Sequence, residues 1–336
     1  MSWSGRVWGA IDRCVSDRVV LLAGWLWFLV YAYPGYMSYD SSWQLSQARG
    51  IESINEWHPP VMAVMWRYLD DLVAGPILML VLQSSLFLIG TFVVLRRAIS
   101  PRKAAFLAVV LLVVPQNIVV MSVIWKDSQM AGFLIAGIAC LFSQRRGWRV
   151  TGYVLIFLAT AVRYNAAAAT LPILVFQFGY GGSLLWWKRI GLACLAWVVM
   201  FVASQQANAL FVQQHTYPWP TASAPVDIAG IIRYSPHLDN EQLLRDTPGV
   251  PWHKTDKIQI RVRTWYRPEQ QFLNVTQEPG QIFDYVSTDA DRAGIRPRGR
   301  SSCSRILSHF CTIAGRCSSR PSIAGLVVRA GSLASF

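Results

Sequence analysis

The chain has 336 residues, 53% of them hydrophobic and only 15% charged, a balance that excludes an ordinary soluble domain of this size. Its formal net charge of +13 does not point to nucleic acid, because the lysines and arginines fall in small groups between apolar runs, where they set topology and meet anionic lipid heads. The six cysteines show no metal-binding spacing: Cys14, Cys140 and Cys194 lie far apart and the other three crowd towards the C-terminus.

The expected fold class is therefore all-α, a polytopic transmembrane helix bundle followed by an outer-face soluble segment. Arg6, Arg13 and Arg18 precede an apolar run from about 19 to 33. No small-residue cleavage site follows, so the run reads as an uncleaved first span and not as a signal peptide. Spans are expected at roughly 19–35, 76–95, 104–123, 129–143, 150–163, 166–180 and 190–206. Several are shorter than the ~20 residues a helix needs to cross a hydrocarbon core, which marks them as half-helices or tilted segments.

Charge orders these spans. Arg96, Arg97, Arg102 and Lys103 separate the second from the third, Arg145, Arg146 and Arg149 the fourth from the fifth, and Lys188 and Arg189 precede the seventh. Every second connection is basic, and the positive-inside tendency makes those connections and the N-terminus cytoplasmic. Asp40, Lys126, Arg163 and everything after about 207 then share the outer face.

The first outer connection is the most informative stretch. Tyr39-Asp40-Ser41-Ser42-Trp43 is followed closely by Trp57-His58-Pro59-Pro60, setting a carboxylate beside a membrane boundary with a histidine and two prolines behind it. Ser41 and Gln44 form an S-x-x-Q capping box for a short interfacial helix that Gly50 ends, leaving the Asp40 carboxylate unused by the cap. His58-Pro59-Pro60 starts a second helix over about 61–73, with Val61, Val64, Met65, Leu69 and Leu72 as its apolar stripe. Further on, Asn165 follows Arg163-Tyr164 at a break between two short apolar runs, where a polar side chain satisfies freed backbone groups.

Residues 1–206 form the bundle. Residues 207–288 turn polar and rich in Trp, Tyr and Pro, and Trp219 and Trp265 there suit either a membrane-interface belt or sugar stacking. From 289 to 336 eight arginines mix with Ser, Cys, Gly and Ala without a lysine. This basic tail reads as disordered or as an out-of-frame translation, which makes the chain a truncated member of a longer parent.

Tyr39-Asp40, Trp57-His58-Pro59-Pro60, Trp125-Lys126-Asp127 and Val162-Arg163-Tyr164-Asn165, in that order and on one side, resemble the arrangement in membrane glycosyltransferases of the GT-C type. These are the family 39-like enzymes, related to protein mannosyltransferases and aminoarabinose transferases. The resemblance covers about residues 20–205, roughly the N-terminal half of a full-length member. It implies a GT-C bundle in a bacterial inner (plasma) membrane. The implied reaction transfers a sugar from a polyprenyl-phosphate donor to a lipid, glycan or protein acceptor at the outer face. Asp40 is the implied catalytic base, since an attacking hydroxyl must lose its proton. The lipid phosphate leaves as an anion without a second acid, unlike the leaving group in glycoside hydrolysis.

Cations near that phosphate are needed instead, and Lys126 and Arg163 at the outer ends of spans are the candidates. The plainer reading pairs Lys126 with its neighbour Asp127, or lets both cations snorkel to the interface. Asp127 either orients Lys126 or joins Asp40 on a divalent metal; His58 assists proton transfer or phosphate binding, or simply packs and caps locally. A transporter or flippase, or a non-catalytic membrane protein, shares the composition, although the chain shows no inverted pair of Gly/Pro-interrupted segments.

Overall fold

The computed structural model describes residues 16–179, 185–216, 226, 229–230, 232–233, 241, 244, 252–253, 257–266 and 281–284, and 76% of these are helical. The described residues contain no β-strand, only two isolated bridges, Tyr36 with Val123 and Trp252 with Phe283. The expected all-α class is met at that level. The basic tail at 289–336 and Trp219 lie outside the described residues.

The chain divides into two compact units, Met1–His215 and Thr216–Phe336. In the first, α1 spans Asp17–Ala32, α2 Tyr39–Ala48, α3 Pro60–Leu72, α4 Ile77–Leu95 and α5 Pro101–Val113. It continues with α6 over Pro115–Ser122, α7 over Lys126–Leu141, α8 over Arg146–Val162, α9 over Ala166–Gly179 and α10 over Trp186–Ala209. By length and composition α4 and α10 are able to cross a membrane, and the α5–α6 pair makes a third span if its two halves are counted together. The other helices placed where spans were expected run from 14 to 17 residues, too short to meet that measure.

The expected continuous span over 104–123 is broken, because α5 and α6 meet at a bend of 69°. Pro115 is the cause. It has no N–H to donate, and its ring pushes Val114 out of the helical region to φ −58°, ψ 139°.

Small residues set the packing of the central helices. A Cβ on Gly90 of α4 would stand 2.6 Å from the backbone nitrogen of Ala136 on α7, and one on Gly152 of α8 would stand 2.7 Å from that of Leu141 on α7. These helices therefore approach at backbone distance, which only glycine permits. Contacts between Gln83 and Gln129 near the starts of α4 and α7, and between Arg97 and Ala139 near their ends, make the two helices parallel. Their buried faces meet over Met79, Leu80, Leu88 and Phe133, joined by Phe28, Trp66 and Leu112 from α1, α3 and α5. The opposite faces stay apolar and exposed, as at Val30 of α1 (81%) and at Leu195 and Val199 of α10 (60% each). Water does not favour such surfaces and lipid does.

The face that α3 buries differs from the expected stripe. Met62, Ala63 and Trp66 are fully covered, Val61, Met65 and Leu69 pack beside them, and Leu72 is exposed. Trp66 governs the rotation of the helix: its ring fills the core while its Nε1 donates to Gly75 O at 3.2 Å.

In the second unit, α11 (Ile258–Trp265) buries Ile258 and Val262 among Ala229, Ile232, Trp252, Ile282 and Phe283. Trp252 stacks on Phe283 with ring centroids 4.7 Å apart, and Trp265 ends the helix 39% exposed.

Candidate functional site

The site begins where the chain leaves α1. Gly35 takes φ +113°, a left-handed conformation that suits glycine. The strand-like segment after it then clamps onto the α6–α7 junction. Tyr36 N donates to Ser122 O and Ile124 N donates to Tyr36 O, both at 2.9 Å. Ser41 Oγ donates to Ile124 O at 2.6 Å, and Trp125 Nε1 donates to Ser38 Oγ at 2.7 Å. Four bonds thus fix residues 36–41 against 122–125, and they set Asp40 beside Lys126.

Within this clamp the capping differs from expectation. Ser38 is the N-cap of α2, and Ser41 returns the bond at the third helical position, 3.3 Å and 3.2 Å in the two directions. A serine in place of Glu or Gln at that third position completes the reciprocal box. Gln44 is buried and takes no part in the cap. Asp40 still keeps its carboxylate out of the cap, because Ser38 does that work, and it stands in the first turn where the helix dipole favours a negative charge.

His58 is fixed from the other side. Pro60 is the first residue of α3, as the Pro-Pro start predicts, and the N–H of Val61 donates to Asn208 Oδ1 of α10 at 3.0 Å. The Asn208 amide donates in turn to Ala161 O of α8 at 2.9 Å and to Ser204 O at 3.0 Å. One buried side chain therefore ties α3, α8 and α10 together just behind His58. The loop ahead of it is held by Gln213, whose Oε1 accepts from Ile54 N at 3.1 Å and whose own N–H donates to Ile54 O at 2.7 Å. Tyr164 OH donates to Glu56 O at 3.3 Å, and burial with the nearby Glu56 charge pushes the phenol up to about 12.

The predicted residues meet in this frame. The Lys126 ammonium lies 2.8 Å from His58 Nδ1 and 3.6 Å from Asp40 Oδ2, and His58 Nε2 lies 3.9 Å from Asp40 Oδ1. Three groups from α2, the start of α3 and the start of α7 close a triangle. Next to it Arg163, in the extended turn after α8, places Nε 3.1 Å from Asp127 Oδ1. The side chain of His58 is 6% exposed, that of Lys126 15% and that of Asp40 49%, so the cation and the imidazole form the floor and the carboxylate the mouth.

Electrostatics assign the proton on the histidine. Burial, followed by the charge of Lys126, pushes His58 down to about 4, with Asp40 opposing and Arg163 adding to the fall. The imidazole is neutral at pH 7. An ammonium only donates, so Nδ1 is the acceptor and the ring proton sits on Nε2, facing Asp40.

Asp127 faces Arg163, and its charge also acts on Lys126. Consecutive residues on a helix are turned ~100° apart and seldom face one another. A divalent metal between Asp40 and Asp127 does not suit this donor set, since each carboxylate already faces a cation. No group of three His, Cys, Asp or Glu gathers among the described residues. Asn208 and Gln213 are supporting residues that the sequence did not reveal, and the bond from the Ser41 hydroxyl to Ile124 O is a second role for a residue read there only as a cap. Asn208 and Gln213 sit past the seventh apolar run with no motif around them, and only the burial of Asn208 (3% exposed) sets it apart. Searches of protein-family models, curated proteins and solved structures found no match to this chain.

Proposed function

We propose that the chain is a membrane glycosyltransferase of the GT-C type, moving a sugar from a polyprenyl-phosphate donor to a hydroxyl acceptor at the outer face of a bacterial inner membrane. The observation that carries this reading is the triangle of Asp40, Lys126 and His58, in which a half-exposed carboxylate stands over a partly buried ammonium. The acceptor hydroxyl gives its proton to Asp40 as its oxygen bonds to the anomeric carbon. The bond from that carbon to the phosphate oxygen breaks, and the lipid phosphate departs with the electron pair. Lys126 and the adjacent Arg163 offer positive charge to the departing phosphate. His58 presents its Nε2–H towards Asp40 from 3.9 Å, close enough to bond the carboxylate after a small shift when substrate binds.

A second reading, a transporter or flippase for the same lipid, is favoured by the break between α5 and α6, one short helix ahead of the junction that carries Lys126, since discontinuous helices mark substrate sites in transporters. One experiment separates the two. Membranes containing the full chain are given a polyprenyl-phosphate donor labelled in the sugar, and both labelled product and transbilayer movement of the intact donor are followed. Transfer that falls by about 10²–10⁴ in a folded Asp40→Asn variant is the expected result. Undiminished transfer in that variant excludes Asp40 as the base, and donor movement without any sugar transfer favours the flippase.

A further inference from the structure

The two ends of the α4–α7 pair differ in chemistry. At the end away from the triangle, Val94, Arg97, Ile138, Phe142 and Phe176 line a cavity of about 300 Å³. Four of the five are apolar, and Phe176 is 64% exposed, so the cavity reaches the apolar outer surface of the helices. Arg97 is its single charge. Arg97 Nη2 donates to Ala139 O at 3.0 Å, and its guanidinium carbon lies 5.9 Å from the centre of the Phe142 ring. The head group is thus held over the cavity by a carbonyl and an aromatic face, neither of which neutralises it.

The sequence around it supplies no acid. Between Leu95 and Trp125, and again between Ser128 and Val226, there is no Asp or Glu, while Arg96, Arg97, Arg102, Lys103, Arg145, Arg146 and Arg149 flank this end of the helices. Among the described residues no carboxylate pairs with Arg97. A fixed cation over an apolar slot that reaches that surface calls for a ligand with an anionic head and a hydrocarbon tail, and a basic pocket between spans is where such lipids bind. We infer that this cavity is a binding site for one anionic phospholipid, with its phosphate on Arg97 and an acyl chain between Ile138, Phe142 and Phe176. The site stands independently of the transfer chemistry.

The test uses the full chain in bilayer nanodiscs containing photoactivatable phosphatidylglycerol or, separately, phosphatidylcholine with the same acyl label. Crosslinked peptides are mapped and quantified. Phosphatidylglycerol is expected to label the 94–97, 138–142 and 176 segments in preference to phosphatidylcholine, and Arg97→Gln to reduce that preference about fivefold, while Arg96→Gln leaves it. Val94→Trp, which fills the slot and keeps the charge, is expected to suppress labelling by both lipids and serves as the deciding variant should Arg97→Gln fail to fold. Equal labelling by the two lipids overturns the site, and so does a preference unchanged in a folded Arg97→Gln chain. Competition by inorganic phosphate alone, with no need for the tail, overturns the lipid as occupant.

Discussion

Lys126 Nζ lies 2.8 Å from His58 Nδ1, 68 positions away in the sequence, and the imidazole at that contact is neutral at pH 7. A partly buried cation bound to a buried neutral base is a pairing with consequences for both stability and titration.

The first consequence is a stability that depends on pH. Because the folded His58 titrates at about 4 and the unfolded one near 6.5, the unfolded chain binds more protons between those values. Stability is fully present above 6.5 and is lost as the pH falls towards 4, by about 3 kcal/mol in all. Thermal melts of the protein in detergent at pH 7 and pH 4 measure this loss. His58→Gln, which keeps an acceptor but has no proton to gain, is expected to flatten the profile.

Removing the cation shifts the same group upward. With Lys126→Met the second-largest cause of the depressed His58 value disappears, and only burial and the more distant Arg163 still lower it. His58 is then expected to titrate between about 4 and 6.5, as read from the imidazole proton resonances across pH. An unmoved midpoint contradicts the ammonium–imidazole contact.

Asn208 is expected to be the costliest polar residue behind the site. Asn208→Ala leaves the Val61 N–H and the Ala161 carbonyl without their partner in the interior, which costs about 2–3 kcal/mol. Melting temperature reports the loss. A change at or below that of a surface Asn→Ala control shows that water or a shifted backbone restores the bonds.

Two glycines on helices should respond in opposite directions. Gly90→Ala places a methyl against the α7 backbone at 2.6 Å and is expected to destabilise by about 1–3 kcal/mol, because neither helix can give way without losing the packing beneath it. Gly147→Ala in α8 meets nothing within 4 Å and is expected to stabilise by up to about 1 kcal/mol through helix propensity alone. Paired chemical denaturation of the two variants checks the difference in sign.

How much of this was legible in the sequence depends on the range of the interaction. The start of α3 at Pro60 and the break around Arg163-Tyr164-Asn165 are local signals, written by proline and by interrupted apolar runs, and the structure has both. The division of α5 from α6 was equally local, yet the apolar run on both sides of Pro115 reads as one span, and hydropathy outweighed the backbone rule for the residue before a proline. The cap on α2 was missed because Ser41 occupies the position where Glu or Gln is the usual signal. The approach of Asp40 to a cation was expected from the shared side of the membrane and the chemistry of a departing phosphate, while the contact of His58 with both was left open. The distances depend on the 36–41 clamp and on Asn208, contacts between segments 83 and 147 positions apart that leave no periodic trace in the chain.

The bridge from Tyr36 to Val123 also has a bearing on biosynthesis. Asp40 leaves the ribosome well before residues 122–126 do, and it has no ammonium to face until the α6–α7 junction has been made and has docked on the segment after Gly35. Asn208, which steadies the start of α3, is made later still. The corner that holds Asp40, Lys126 and His58 therefore has all of its contacts only once residue 208 has been made, and a nascent chain arrested before that point carries Asp40 without the full set of contacts around it.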